Sequence, residues 1–292
     1  MINLYTTYYY EENSQRNEEL NKCLINNKRC QAISNIYVIS EIEEDDFIIK
    51  NKINIKKINK RPTFDDFFNI INRTTSKDEI NIIANGDIYF DETLNRINEI
   101  NLHNYCLALT RWDVWDDRRK RLTEISGSQD SWIFKGKIKK VIGDFPIGVP
   151  GCDNRIAYEI NKSGYIVINP SISIKSYHLH KSRHRPNIDK WFTKGNYIDK
   201  PHLYIMPVTL ESIYNFKFFS LFKNKKRFSD YLYERKIYRW YQYKEHSKNN
   251  NTRLINIRSV IHVLYSAYYR IPFEKLLLLM FFRKYYNDYI KR

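Results

Sequence analysis

Cysteine is scarce and unpaired in this chain. The four residues, Cys23, Cys30, Cys106 and Cys152, are scattered over 292 positions and show no CxxC spacing. That excludes a disulfide framework and a thiolate zinc site, and predicts free, buried thiols in a reducing, cytoplasmic compartment. There is no GxGxxG and no GxxxxGK[ST], so neither a dinucleotide fingerprint nor a P-loop is available. The longest apolar run, Leu276–Phe282, is seven residues, where a bilayer-spanning helix needs about 20. No basic-then-apolar leader is read at the N-terminus. Internal repeats and low-complexity linkers are lacking as well.

What the chain does have is a sizeable apolar fraction, 42%, enough for a substantial core. It also has a strong charge asymmetry. The net charge of +16 divides into +2 over residues 1–189 and +14 over residues 190–292. The expected organisation is therefore two parts: an α/β domain over 1–189 and a basic, Tyr-rich helical appendage over 190–292. A cationic end of this kind suits a polyanionic partner such as nucleic acid, an anionic membrane surface or an acidic glycan. The chain is also rich in Ile, Asn, Lys and Tyr throughout, as an AT-rich genome would make it.

In order, Asn3–Tyr10 reads as a strand and Ser14 to Asn26 as a helix with Leu20, Cys23 and Leu24 on one face. Ile33–Ser40 reads as a second strand, and Phe47–Ile58 as one or two short ones. Thr63, with Asp66 three residues on, predicts a capped helix burying Phe64, Phe67, Phe68 and Ile71. Ile80–Ala84 reads as a buried strand running into Asn85-Gly86-Asp87, and Tyr105–Thr110 as another. Arg111-Trp112-Asp113 is placed after that strand, Arg118–Arg121 in a loop, and Gly127 to Phe134 in a stretch ending as an apolar patch. Asp153 is expected to open a helix stopped at Gly164. Ser171–His180 alternates and puts His178 and His180 on one side. Strand–helix alternation over the first 110 residues predicts a mostly parallel sheet with flanking helices. Helices are expected around Leu210–Leu221, Phe228–Tyr243, Leu254–Tyr269 and Phe273–Ile290.

The chemistry-bearing residues are few. Asp87 ends a hydrophobic strand beside a glycine, where α/β sheets bind ligands. Its hard carboxylate suits Mg²⁺ or Mn²⁺, which usually keep waters and share substrate phosphates with one or two carboxylates. Asp91 reads as a helix cap. His178 or His180 could add a nitrogen to the same metal. Asp153, behind a glycine-bearing loop, is a candidate general base, and Asp130 a candidate for fixing a sugar or an acceptor. The basic and aromatic residues of the last third suit phosphates and stacked bases.

Taken together, these residues resemble a glycosyltransferase of the GT-A, nucleotide-diphospho-sugar transferase type, over roughly residues 1–185. The resemblance implies a Rossmann-like GT-A fold whose DxD motif is here Asn85-Gly86-Asp87, with the first acid replaced by an amide. It implies metal ligation by Asp87 with His178 or His180, and an inverting base at Asp153 within Gly151-Cys152-Asp153. A nucleotide pocket would draw on Thr6, Thr7, Arg16, Glu41, Arg61, Phe64 and Asn85. The cofactors implied are Mn²⁺ or Mg²⁺ and a nucleotide-sugar donor, first of all a UDP-sugar. The acceptor would be a hydroxylated base in DNA, as in phage-type (viral) DNA modification, or a cell-surface glycan. If configuration is retained, Asp153 only positions the acceptor. Two rival readings stay open. One is a nucleic-acid-binding protein on a transferase scaffold whose Asn85 marks lost metal binding. The other is a nucleotidyltransferase of the same fold, which needs a Gly-rich basic loop that Thr6–Gln15 lacks. No oligomeric state follows from the sequence.

Overall fold

The computed structural model describes residues 1–9, 11–41, 46–51, 53–116, 119–123, 128–179, 198, 201–205 and 207–210. Met1–Ile205 form one compact unit. The helices expected beyond Leu210, and His180, lie outside the described residues.

The elements are β1 (Ile2–Thr7), α1 (Ser14–Arg29), β2 (Asn35–Ser40), α2 (Asp46–Lys50), β3 (Asn54–Lys57), α3 (Phe64–Thr74), β4 (Ile80–Ala84) and β5 (Ile88–Phe90). A 3₁₀ helix (Glu92–Glu99) follows, then β6 (Tyr105–Val114), β7 (Lys120–Leu122), β8 (Gln129–Lys135), α4 (Cys152–Lys162), β9 (Ile166–Ile168) and β10 (Ser176–Leu179). The strands run in the order β3-β2-β1-β4-β8-β6-β10-β5, with β7 and β9 also pairing to β6. β1 is parallel to both β2 and β4, and β2 to β3. β8 is antiparallel to both β4 and β6, so β6 points the same way as β4. This is the mostly parallel α/β sheet with flanking helices that the sequence leads one to expect.

Local signals explain much of it. Thr63 and Asp66 make a reciprocal capping box at the start of α3. The Phe64, Phe67, Phe68 and Ile71 stripe is buried in the main core, each side chain contributing about 1.5–3 kcal/mol. Phe64 meets Trp132 of β8 edge-on, ring centroids 4.9 Å apart. Asp91 caps the 3₁₀ helix, accepting from the Thr93 amide, and its other oxygen takes the Tyr177 hydroxyl at 2.7 Å. The four cysteines are free and buried.

Elsewhere tertiary packing overrides the sequence reading. Phe47 and Ile48 lie in a helical turn, α2, and not in a strand. That turn lets Phe47 stack on Tyr8 while Ile48 joins Tyr8, Leu24 and Val38 in a second core cluster. Gln129–Lys135 is a complete strand buried between β4 and β6. Burial on both faces removes the alternation by which a strand is recognised. Lys120–Leu122 is a strand where a loop is expected. β6 also continues past Thr110 to Val114. Its register against β8 shifts between Leu109 and Thr110. Beyond that irregularity β6 pairs with β10 and β7. The Thr110 amide, at the point of departure, donates to Asn169 Oδ1 at 3.1 Å. A bulge re-aims the residues that follow it, and here those are Arg111 and Asp113.

Candidate active site

Where β4 ends, the Asn85 amide donates to the Asp130 carbonyl at 3.1 Å. The Thr6 hydroxyl holds the Asn85 carbonyl from β1 at 3.3 Å. Gly86 lets this turn press against the end of β1: a Cβ there would stand 2.6 Å from the Thr7 carbonyl oxygen. Gly86→Ala is therefore expected to lower stability by about 1–3 kcal/mol and to displace Asp87. Urea unfolding of the variant measures the first effect.

Asp87 is the meeting point. Its Oδ2 receives Arg16 Nη2 from the first turn of α1, and His178 Nε2 from β10 lies 3.2 Å away. Arg16 is also held by Glu19 at 3.1 Å, and both are buried. The other nitrogen of His178, Nδ1, lies 3.1 Å from Asp113 Oδ1. Asp113 further accepts from Arg111 Nε at 3.0 Å and from the Thr123 hydroxyl at 2.9 Å. Arg111 Nη1 reaches Asp130 Oδ2 at 3.2 Å. Asp130 in turn accepts from the Asn85 side-chain amide at 2.8 Å. The result is a chain of alternating charge, Glu19–Arg16–Asp87–His178–Asp113–Arg111–Asp130, drawn from α1, the β4–β5 turn, β10, β6 and β8.

The field of this chain sets the protonation of its members. His178 and Arg16 hold Asp87 well below the usual carboxylate range against the effect of burial. Hydrogen bonding from His178 and the charge of Arg111 likewise depress Asp113. Asp87 and Asp113 together raise His178 although burial opposes it. Asp153 behaves in the opposite way. Burial, then the charge of Asp130, push it well above the usual carboxylate range. It sits in the first turn of α4, where its carboxylate accepts from the Cys152 thiol at 3.1 Å. The residue that caps α4 is Gly151, in left-handed conformation, with no side-chain cap. Asp153 is thus not the cap, and the charges of Asp130, Arg111 and Asp87 act on its carboxyl.

The expected residues fall into three groups. Asn85 and Asp130 come together, as do Asp87, His178 and Arg16, and the charge of Asp130 acts on Asp153. Glu41 is exposed just past β2, and no hydrogen bond or ion pair ties it to the cluster among the described residues. Arg61 is exposed and donates to the carbonyls of Ile147 and Gly148 at 3.2 and 3.1 Å, pinning the loop before α4. Thr6 is buried with its hydroxyl engaged by Asn85. Phe64 is 0% exposed within the core and offers no surface to a nucleotide. The sequence reading gave no role to Arg111, Asp113 or Tyr9. The first two form an Arg-x-Asp pair on one face of a strand whose end was set at Thr110. Tyr9 is exposed, and its phenol is within hydrogen-bonding reach of Arg16.

A divalent cation fits these groups. Asp87 Oδ2 and His178 Nε2 are 3.2 Å apart, close to the roughly 3 Å between neighbouring ligands on an octahedral ion with bonds of about 2.1 Å. Asn85 Oδ1, two residues from Asp87, is a buried acceptor with no hydrogen-bond partner. Among the described residues no third His, Cys, Asp or Glu completes a protein cage. Such a half-open set leaves positions for water and phosphate, and its nitrogen donor favours Mn²⁺ over Mg²⁺. A cation here would have to share Asp87 with Arg16.

No protein-family profile matches the chain, and no curated protein sequence matches it. Solved structures do. A mannosyltransferase from Pyrobaculum calidifontis, in complex with GDP-Man and Mn²⁺, matches at 14% identity and TM-score 0.43, over 63% of this chain and 58% of that one. GalNAc-T7 with UDP, GalNAc and Mn²⁺ matches at 9% identity and TM-score 0.41, over 73% and 47%. The 4-diphosphocytidyl-2C-methyl-D-erythritol synthase of Anaerococcus prevotii matches at 13% identity and TM-score 0.38, over 65% and 94%. The chain thus spans little more than half of the first of these and less than half of the second. At these identities the likeness concerns the fold and says nothing of the chemistry.

Proposed function

We propose that this protein is a metal-dependent glycosyltransferase that moves a sugar from a nucleotide-sugar donor to an acceptor hydroxyl. The observation that carries the reading is the convergence of Asp87 and His178 at the sheet rim, within the electrostatic reach of a carboxyl, Asp153, whose proton affinity is raised. Asp87 and His178 would hold Mn²⁺, and the ion when bound supplies Lewis-acid stabilisation of a leaving diphosphate.

The remaining work falls to the chain itself. Arg16 brings a fixed positive charge to the same carboxylate, so the rim favours an anionic leaving group. Arg111 and Asn85 orient Asp130, which in this reading would accept from sugar or acceptor hydroxyls. Asp153 takes the acceptor proton. A base whose pKa lies well above that of free aspartate is better matched to chemistry near neutral pH than an ordinary carboxylate. In this reading the attack is in line and the anomeric configuration inverts. The donor is assigned as a UDP-sugar. The acceptor is assigned as a polyanion, DNA with hydroxylated bases or an acidic glycan, from the net charge of +14 over residues 190–292.

The test is a panel of nucleotide sugars with purified protein and Mn²⁺. Release of nucleoside diphosphate, abolished by EDTA, is the expected result. Pyrophosphate release from a nucleoside triphosphate, with none from any nucleotide sugar, would turn the reading to nucleotidyl transfer. DNA affinity that falls steeply with salt supports a nucleic-acid acceptor, and a flat dependence removes it.

A further inference from the structure

We infer that Asp113 is a positioning residue for the metal centre, acting through His178 without touching substrate or ion. The inference rests on the metal reading of Asp87 and His178 given above. It starts from backbone register: Asp113 of β6 lies directly opposite His178 in the parallel β6–β10 pair, so both side chains emerge on one face. The register of β6 against β8 shifts at Leu109/Thr110, and the residues beyond it pair with β10.

Three donors then fix the Asp113 carboxylate. Arg111 Nε bonds Oδ1, the Thr123 hydroxyl bonds Oδ2, and His178 Nδ1 stands 3.1 Å from Oδ1. A carboxylate gripped from three sides defines both the plane of the imidazole and the nitrogen that keeps a proton. With Nδ1–H donated to Asp113, Nε2 presents its lone pair toward Asp87 and the cation. Partners of this kind raise the basicity of a histidine ligand and typically contribute 10–100-fold in metal affinity. The His178 side chain is only 3% exposed, so water cannot readily take over the orienting bond. Arg111 keeps Asp130 as a second partner. Removing Asp113 therefore strands no buried cation, although it also takes a partner from Arg111 Nε and from the Thr123 hydroxyl.

The experiment is a Mn²⁺ titration, read by electron paramagnetic resonance, on the full-length wild type, Asp113→Ala and Asp113→Asn. Asp113→Ala is expected to weaken Mn²⁺ binding by about 10–100-fold. Asp113→Asn keeps an oxygen toward Arg111 and His178 while losing the charge, and should fall between the two. Affinity for nucleoside diphosphate in EDTA, and the far-UV circular dichroism spectrum, should stay unchanged in both variants. If both variants bind Mn²⁺ as tightly as the wild type, the positioning role is overturned while the metal centre stands. If the wild type binds no Mn²⁺, the metal reading falls and this role with it. Should Asp113→Ala lose its native spectrum, Asp113→Asn decides the matter alone: affinity equal to wild type overturns the role, and a weakened one supports it.

Discussion

Asp153→Asn stops turnover and leaves the folded protein more stable at neutral pH. Removing a general base typically costs 10²–10⁴ in rate, so kcat should fall by about that factor in the nucleotide-release assay. The gain in stability follows from linkage. Burial and Asp130 raise the Asp153 pKa in the folded state above its unfolded value. The stability this carboxyl contributes is therefore full below the unfolded pKa and is lost as pH rises toward the folded one. In Asp153→Asn that loss disappears. The difference in Tm between variant and wild type should be near zero at acid pH, grow as pH rises from about 4, and level off above the raised pKa. The same raised pKa places the acid limb of the wild-type pH–rate profile well above the range of free aspartate. A stable, inactive Asp153→Asn is the signature of a strained functional carboxylate. An active one would remove Asp153 from the chemistry, and an unstable one would mean that its charge supports the fold.

Asp87→Ala should do the reverse and lose both function and stability. The variant leaves Arg16, a buried guanidinium, with Glu19 as its remaining carboxylate partner. It also takes from His178 one of its two carboxylates. Breaking a buried ion pair on one side costs about 3–5 kcal/mol. The Asp87 side chain keeps 17% exposure, which puts the expectation near the lower end, about 3 kcal/mol, measured by urea unfolding. Asp87→Ala combined with Arg16→Met should recover most of that stability, because the stranded charge is gone, yet restore no Mn²⁺ binding. If the double variant stays as unstable as the single one, the ion pair is not what the turn depends on. A recovery of metal binding would show that Asp87 is not the ligand.

These two residues also show how far the sequence could be read. Asp87 was legible because a five-residue, largely apolar run leading into Asn-Gly-Asp is a local pattern, and Ile80–Ala84 is indeed β4. Asp153 was legible from the glycine-bearing loop before it. Its place inside the helix was not, because the backbone conformation of Gly151 moves the cap back by two residues. The partners were beyond reach of any local rule. Arg16 and Asp87 are 71 residues apart, and His178 and Asp113 are 65 apart. Asp113 was missed because the continuous apolar run that marks β6 ends before Thr110, and polar residues alternate with apolar ones beyond it.

The order of residues by itself determined the α/β class, the free thiols, the α3 cap and core stripe, and the acid at the end of β4. Each of these follows from side-chain periodicity or turn chemistry within a few residues. Only the tertiary structure decided that β8 is a central strand. It alone paired Asp87 with Arg16 and His178, and gave Asp113 a histidine to hold. Those outcomes depend on which strands become neighbours and in what register, and that is settled by burying the two faces of one sheet together.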